Sequence, residues 1–560
     1  MEKIWLRSYP PGVAAEIDLA QVPTLVELFD DVVARYAERP AYSNLGHALS
    51  YADLERLSAA FAACLQHRFG LTKGERVAIM MPNALQYPVV LFGVLRAGLT
   101  VTNINPLYTA RELHHQLADS GATVIVVLAN FAQVVEKAIA GTEVRHVIVT
   151  ELADLLPTPK RLLVNFVVRH IKKMVPPYAL AGELSLRALL AEGARQRFTP
   201  VAVSLDDVAF LQYTGGTTGL AKGAVLTHRN MGANVMQASQ WIEQQMEPGH
   251  ELIVTALPLY HIFALTANCL TFMRFGAHNL LITNPRDFPH FIKEIRDVGF
   301  TAITGVNTLF NALLNAPGIE AVDFSKLRLT LGGGMAVQKA VAERWQERTG
   351  CPLLEAYGLT ETSPAVTINP MNLASYNGSI GLPVPSTEVS VRDAAGHEVA
   401  LGERGELWVR GPQVMRGYWR QPEETAKVLD DDGWLRTGDV ATLDEQGYVR
   451  IVDRMKDLID VSGFNVYPNE VEEVVAQLPG VREVAAIGVP DAHSGEAVKL
   501  FIVCDAPGLT AEAVLRHCRE NLTKYKVPKH VEFREELPKT NVGKILRRAL
   551  RDEERAAVQG

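Results

Sequence analysis

Cysteine is scarce. The 560-residue chain has five, Cys64, Cys269, Cys351, Cys504 and Cys518, and no two stand in C-x-x-C spacing. That distribution supports neither a zinc site nor a disulfide framework, and it fits a reducing cytoplasm. No apolar run approaches the roughly 18 residues of a membrane span, and the opening "MEKIWLRSYPPG" has no apolar core of the signal-peptide kind. The expectation is a cytoplasmic protein, at most peripheral on the inner face of the cell membrane. An excess of basic charge is also missing: 55 Lys and Arg against 63 Asp and Glu leave a net charge of -8, opposite in sign to a nucleic-acid binder. Internal repeats and low-complexity tracts are absent. What remains is an ordinary globular composition, 48% hydrophobic and 21% charged, on a chain too long for one core.

Along the first 450 or so residues, short apolar runs such as "RVAIMMPN", "TVIVVLA" and "HVIVT" alternate with helical stretches such as "YPVVLFGVLRAG". This is the pattern of parallel sheets covered by helices, an α/β architecture. Near the start, "PTLVELFDDVVARYAERP" reads as an amphipathic helix with a capping box between Thr24 and Glu27. The texture changes near Asp453. A unit of helix (469–478), strand (484–489), strand (498–504), helix (510–522) and strand (531–534) follows, enough for a small α+β domain. The expected division is a large N-terminal domain, 1–455, and a small C-terminal one, 456–560.

One segment is distinctive. "KRLLVNFVVRHIKKMVPPY" carries Lys160, Arg161, Arg169, Lys172 and Lys173 without an acidic residue, while Leu163, Phe166, Val167, Ile171 and Met174 recur at helical spacing. Residues 160–174 therefore describe a basic amphipathic helix able to lie on an anionic membrane surface. A helix packed on its own domain with solvated lysines fits equally well.

The chemistry centres on "LQYTGGTTGLAKGAVLTHRN", residues 211–230. Glycines let backbone N–H groups turn toward an anion, and threonine hydroxyls add donors. A P-loop NTPase would need G-x-x-x-x-G-K-[ST] leading into a helix, whereas Lys222 is followed by Gly223 and a strand-like "AVLT". Four further stretches bear on it: "LTLGGGMAV" (329–337), "LLEAYGLTETSP" (353–364), "DGWLRTGDVATLDEQGYVRIVDRMKD" (432–457) and "PKTNVGKILRR" (538–548). Each alone is a weak signal.

Together and in this order they resemble the adenylate-forming superfamily, most closely its bacterial long-chain fatty acyl-CoA synthetases. The resemblance covers the chain from "NPLYTARELHHQL" to the C-terminal lysine motif. It implies that ATP activates a carboxylate as an acyl-adenylate, with pyrophosphate leaving, and that the thiol of CoA then displaces AMP. By resemblance, Thr214, Gly215, Gly216, Thr217, Thr218, Gly219 and Lys222 supply donors to the phosphates. Glu361 with Thr214 holds Mg²⁺, a hard cation that takes oxygen ligands. Tyr357 and the backbone of Gly332, Gly333 and Gly334 enclose the adenine, in a site that includes Glu355, Ala356, Gly358 and Thr360. Asp439 takes the ribose hydroxyls, and Arg454 touches the ribose or α-phosphate. Lys544 bridges the carboxylate and the α-phosphate, and His261 stands at the acyl end. Gly463 lines the pantetheine tunnel, and Lys456 is the hinge about which the small domain turns.

Three positions depart from the pattern: Gly215 where many members have serine, Asn465 where some short-chain members have arginine, and Asp460 where some luciferase-like members have lysine. Within the superfamily, an aryl- or medium-chain acid:CoA ligase and an acyl-AMP ligase are the alternatives. Outside catalysis, the alternative is an acyl-nucleotide sensor, which would be expected to have lost Lys544, Glu361 or Asp439.

Overall fold

Strands buried at every position need cover on both faces, and the computed structural model, which describes residues 2–214, 221–491, 493–505, 508–540 and 543–559, provides it. Val124–Leu128 is buried throughout. It lies inside a sheet ordered Leu184–Ser185, His146–Thr150, Val124–Leu128, Arg76–Met80, Thr100–Asn103, Val208–Thr214 and Lys222–Thr227, parallel except for the last pair. A second sheet has a parallel centre of Pro40–Asn44, His278–Leu281, Leu252–Thr255, Ala302–Gly305, Leu329–Gly332 and Leu353–Gly358. Residues of both sheets share one continuous core, and helix Gln86–Arg96, buried at every residue, is part of it. The expected α/β reading of this region holds.

The helix near the start runs from Leu25 to Tyr36 with the expected capping box: the Glu27 amide donates to Thr24 Oγ1 (3.2 Å) and the Thr24 amide to Glu27 Oε2 (2.7 Å). An antiparallel sheet, Glu388–Arg392, Gly405–Arg410, Leu435–Leu443 and Val449–Arg454, leads to the C-terminal unit. There the expected helix, two strands, helix and strand appear as Pro468–Ala476, Val481–Asp491, Gly495–Cys504, Ala511–Asn521 and His530–Phe533. Its long strand alternates between two cores, as a period of two requires: Val484 and Ala486 face the two helices, while Ala485 and Ile487 face Leu537 and Leu550. The short hairpin Ile459–Val461/Phe464–Val466 and the final helix Arg547–Gln559 add to the expected set.

The basic segment forms helix Thr158–Phe166 continued by a wider turn, Val167–Ile171, with no residue buried. Leu162, Leu163, Phe166, Ile171 and Met174 are each more than half exposed. The polar side meets the protein instead: Asn165 Nδ2 donates to Asp154 and the Arg169 guanidinium grips Glu151 Oε1. Among the described residues, no helix is long and apolar enough to cross a membrane.

One carboxylate ties together the starts of three parallel strands of the second sheet. Glu251, fully enclosed, precedes Leu252–Thr255; it accepts from the hydroxyl of Thr301, before Ala302–Gly305, and pairs with Arg328, before Leu329–Gly332. Thr301 in turn accepts from the Leu252 amide. Arg328 also pairs with Glu247 and keeps that partner, but truncating Glu251 removes the buried acceptor of both Arg328 Nη2 and the Thr301 hydroxyl, so Glu251→Ala is expected to cost about 2 kcal/mol and Glu251→Gln, which keeps the Thr301 bond, less. The midpoint of the first denaturant transition, followed by circular dichroism, checks this.

Candidate active site

Parallel strands aim their carboxyl ends at one edge of a sheet, where ligand crevices open. Here Asn103, Gln212–Thr214, Thr304, Leu331 and Ala356–Gly358 end on a cavity of about 1160 Å³, closed on its far side by the C-terminal unit through Lys539, Thr540, Lys544 and Leu546. The lining combines two chemically different sets of side chains. One is apolar, with Ala238, Ile242, Leu257, Ala267, Phe272 and Ile368. The other is polar and mostly charged, with Thr214, Lys222, Glu361, Arg454, Lys456 and Lys544.

Thr214 and Lys222 are eight apart in sequence yet directly opposed across the antiparallel pair that joins their strands. The intervening Gly215, Gly216, Thr217, Thr218 and Gly219 lie outside the described residues. Lys222 Nζ sits 5.1 Å from the centroid of the Tyr418 ring and pairs with Glu424. The Tyr418 hydroxyl donates to Glu361 Oε1 (2.7 Å), so one carboxylate oxygen of Glu361 is already engaged.

The Tyr357 hydroxyl donates to Asp439 Oδ2 (2.6 Å), whose other oxygen meets Arg454 Nε at 3.0 Å. This trio is set by register, because Asp439 and Arg454 are cross-strand partners at the end of the antiparallel sheet. Burial, reinforced by the carboxylate, pushes the Tyr357 phenol far above its ordinary range, and it stays a donor. Gly333 forms wall: a Cβ there would stand 3.0 Å from both the Ala356 carbonyl oxygen and the Phe263 ring. Gly334, Ala356, Gly358 and Thr360 also line the cavity.

Three expected residues stand back from that lining. Glu355 accepts from the Val337 amide (2.9 Å), and burial pushes its carboxyl up to about 8. Gly332 packs against Val337, where a Cβ would come within 2.8 Å of Cγ2. Asp439 is only 3% exposed behind Tyr357 and Arg454.

Lys544 reaches the cavity from a turn in which its amide donates to Thr540 Oγ1 (3.0 Å). The preceding Gly543, at φ +87°, is held to the large domain by Thr308 Oγ1 (2.9 Å). Burial, then the nearby Arg454, pulls the Lys544 ammonium down to about 7. His261 caps the short helix Ile262–Ala264 through Nδ1, and burial together with Lys544 lowers it to about 4, which makes it a neutral imidazole. Lys456 lies in the turn Met455–Asp457 directly after Arg454, with burial lowering its amine to about 8. Gly463, φ +82°, is at the surface away from the cavity, with no atom within 4 Å of where a Cβ would be.

Sequence reasoning passed over Tyr418, Glu424, Thr540 and His115, which all line the same cavity. His115 follows a capping box and touches the Ala221 carbonyl (3.0 Å). The signal for Tyr418 and Glu424 was faint: an aromatic and an acid in "RGYWRQPEETA" have no spacing that separates them from a surface turn.

Comparison with known proteins identifies the family. Residues 29–419 match the AMP-binding enzyme family and residues 470–544 the AMP-binding enzyme C-terminal domain. A long-chain-fatty-acid–CoA ligase of Yersinia pestis is 60% identical over 99% of this chain and 98% of its own length. ATP-bound MatB from Rhodopseudomonas palustris, 28% identical, superimposes with a TM-score of 0.78 over 94% of this chain and 98% of that one. An anthranilate CoA ligase in complex with anthranoyl-AMP, 24% identical, shares the fold with a TM-score of 0.86 over 97% of this chain and all of its own. The chain belongs to the family of AMP-binding enzymes, alongside the bacterial long-chain-fatty-acid–CoA ligases.

Proposed function

We propose that this chain activates a long-chain fatty acid with ATP, forming an acyl-adenylate and pyrophosphate, and then transfers the acyl group to the thiol of CoA with release of AMP. The observation that carries this reading is the mixed lining of one cavity. Its apolar side chains suit an acyl chain, and its cations, Lys544 among them, suit the meeting of a carboxylate with the α-phosphate. The long-chain-fatty-acid–CoA ligases at 54–60% identity over nearly the whole chain support the substrate class.

Adenylation brings an anion onto a polyanion, so its rate depends on positive charge placed beforehand. Lys544 would neutralise the two oxygens as they meet, Arg454 would hold the nucleotide beside the Tyr357–Asp439 pair, and Thr214 and Lys222 would receive the β- and γ-phosphates. Among the described residues, Tyr418 engages one oxygen of Glu361 and no side-chain bond to the other is seen, and no group of three or more His, Cys, Asp or Glu forms a cage. That donor set fits Mg²⁺, which is commonly held by one carboxylate, substrate phosphates and water. Bound there, the ion would screen phosphate charge. Neutral His261 would stand beside the reacting carbonyl without adding charge.

The thiol must reach the carbonyl that Lys544 covers. Gly463, which would line the thiol's path, is on the outer surface of the small domain, so that domain has to turn between the two half-reactions. We place the division of the chain at 455/456 and the pivot at Lys456, whose backbone dihedrals would absorb the change. The outward apolar face of 160–174, with Lys172 and Lys173 beside it, would rest on anionic lipid, where fatty acids partition.

Lys544→Ala is expected to slow pyrophosphate release in the absence of CoA by about a hundredfold or more, while largely sparing thioester formation from synthetic acyl-adenylate. Lys456→Pro, which restricts φ, should do the reverse; equal damage to both steps by both substitutions would defeat the two-orientation reading. The pH dependence has a defined sign: a lysine lowered to about 7 is cationic below that pH and neutral above it. In the free enzyme kcat/KM for adenylation should therefore descend above about pH 7, and Lys544→Arg should remove that limb. For the membrane, Lys172→Glu with Lys173→Glu should abolish salt-sensitive sedimentation with anionic vesicles, since each basic residue contributes about 1 kcal/mol there. Unchanged sedimentation would return the helix to a packing role.

A further inference from the structure

A carboxylate occupies the cation that the phosphates would use. Glu424 lies on the short helix Pro422–Ala426, and its two oxygens are divided: Oε2 pairs with Lys222 and Oε1 with Lys427. These two lysines, Lys222 first, hold the Glu424 carboxyl down to about 2, so it is an anion at any working pH. Its position is built rather than incidental. Thr425 Oγ1 donates to the Gln421 carbonyl (2.9 Å) and accepts from the Tyr418 amide (2.9 Å), locking the helix to the residue whose ring lies under Lys222 and whose hydroxyl holds Glu361. Lys222, Tyr418, Glu361 and Glu424 all line the one cavity.

We propose that Glu424 is a positioning residue that acts as a tethered stand-in for a phosphate oxygen: it holds Lys222 while the nucleotide site is empty, yields it to the incoming triphosphate, and reclaims it as pyrophosphate leaves. The inference rests on the reading that Lys222 receives phosphate. The division between two lysines makes the exchange inexpensive, because a Glu424 displaced from Lys222 keeps Lys427, which is two-thirds exposed and turns with it. A displaced carboxylate with no second partner would face the polyanion unpaired. The consequence is a nucleotide site weaker than its cations alone would make it, and a faster exit for pyrophosphate, the product that would otherwise be retained most tightly by the same charges.

The test compares Glu424→Gln, Lys427→Gln, Lys222→Ala and Glu423→Gln in the full chain. The readouts are KM for ATP, KM for the fatty acid and the inhibition constant of added pyrophosphate. A partly exposed ion pair supports effects of about two- to fivefold. Glu424→Gln is expected to lower both the KM for ATP and the pyrophosphate inhibition constant by that factor, with the fatty-acid KM unchanged. Lys427→Gln, which leaves Glu424 leaning on Lys222 alone, should raise both. Glu423→Gln removes the same charge from the neighbouring position and should move neither. The opposite signs separate exchange from a structural role, which would shift them together. An unchanged or raised KM for ATP in Glu424→Gln, or an equal fall in Glu423→Gln, overturns the inference. If Lys222→Ala raises the KM for ATP while Glu424→Gln is flat, only the role of Glu424 falls. If Lys222→Ala leaves that KM unchanged, the phosphate assignment itself falls and takes Glu424 with it.

Discussion

Positive charge held in place before any anion arrives is the constraint around which this structure is arranged. Lys544, Arg454, Lys456 and Arg547 are drawn together where the small domain meets the large one, and burial, with the neighbouring Arg454 second, lowers the two lysine ammonium groups to about 7 and about 8. Such an arrangement persists only where carboxylates are interleaved with it. Asp439 holds Arg454, and Asp453, Asp457 and Glu472 surround Arg547, with Arg551 on the far side of Asp457. Among the described residues the acids form ion pairs with Arg454 and Arg547, and Asp439 also acts on Lys544 as a favourable charge.

The sheets explain why this charge stands beside an apolar compartment. Parallel strands bring loops of distant sequence to one edge, so the ends of strands 208–214, 302–305, 329–332 and 353–358 surround a single space. The wider-turned helix Leu265–Thr271 borders that space and sends Thr266 to the Ser363 carbonyl (2.6 Å), bracing this wall against the "YGLTETSP" segment. Burial on both faces of the strands makes the large domain a rigid floor. Among the described residues, the small domain meets it through polar contacts that include Thr308 to the Gly543 carbonyl, Asn311 to the Arg482 carbonyl, and the Asn469 amide and Arg547 to Asp453.

The two carboxylates that flank Tyr418 differ by environment. Glu361 is fixed by a neutral donor, the Tyr418 hydroxyl. Glu424 is fixed by lysines and is partly exposed, so it has alternatives when another anion competes. Tyr418 lies between them, contacting one through its hydroxyl and the cation of the other through its ring.

Sequence alone determined the parts that depend on local chemistry. Continuous apolar runs dictated strands covered on both faces, Thr24 and Glu27 three residues apart dictated a helix start, and the motifs contained residues that line the cavity, among them Thr214, Lys222, Gly334, Tyr357 and Lys544. It also placed the amphipathic character of 160–174, but its direction was a tertiary outcome. The apolar face points outward because Asn165 and Arg169 find Asp154 and Glu151 on the domain, and periodicity carries no information about which side is covered. Glu355 and Gly332 show the same limit: adjacent to cavity residues in sequence, they face backward because successive side chains of a strand alternate. Acyl chain length stayed illegible because the wall is assembled from scattered positions and one methylene changes binding by only about 1–3 kcal/mol. Register and sheet order, which no local pattern encodes, set Thr214 opposite Lys222, Asp439 opposite Arg454, and Glu424 within reach of Lys222.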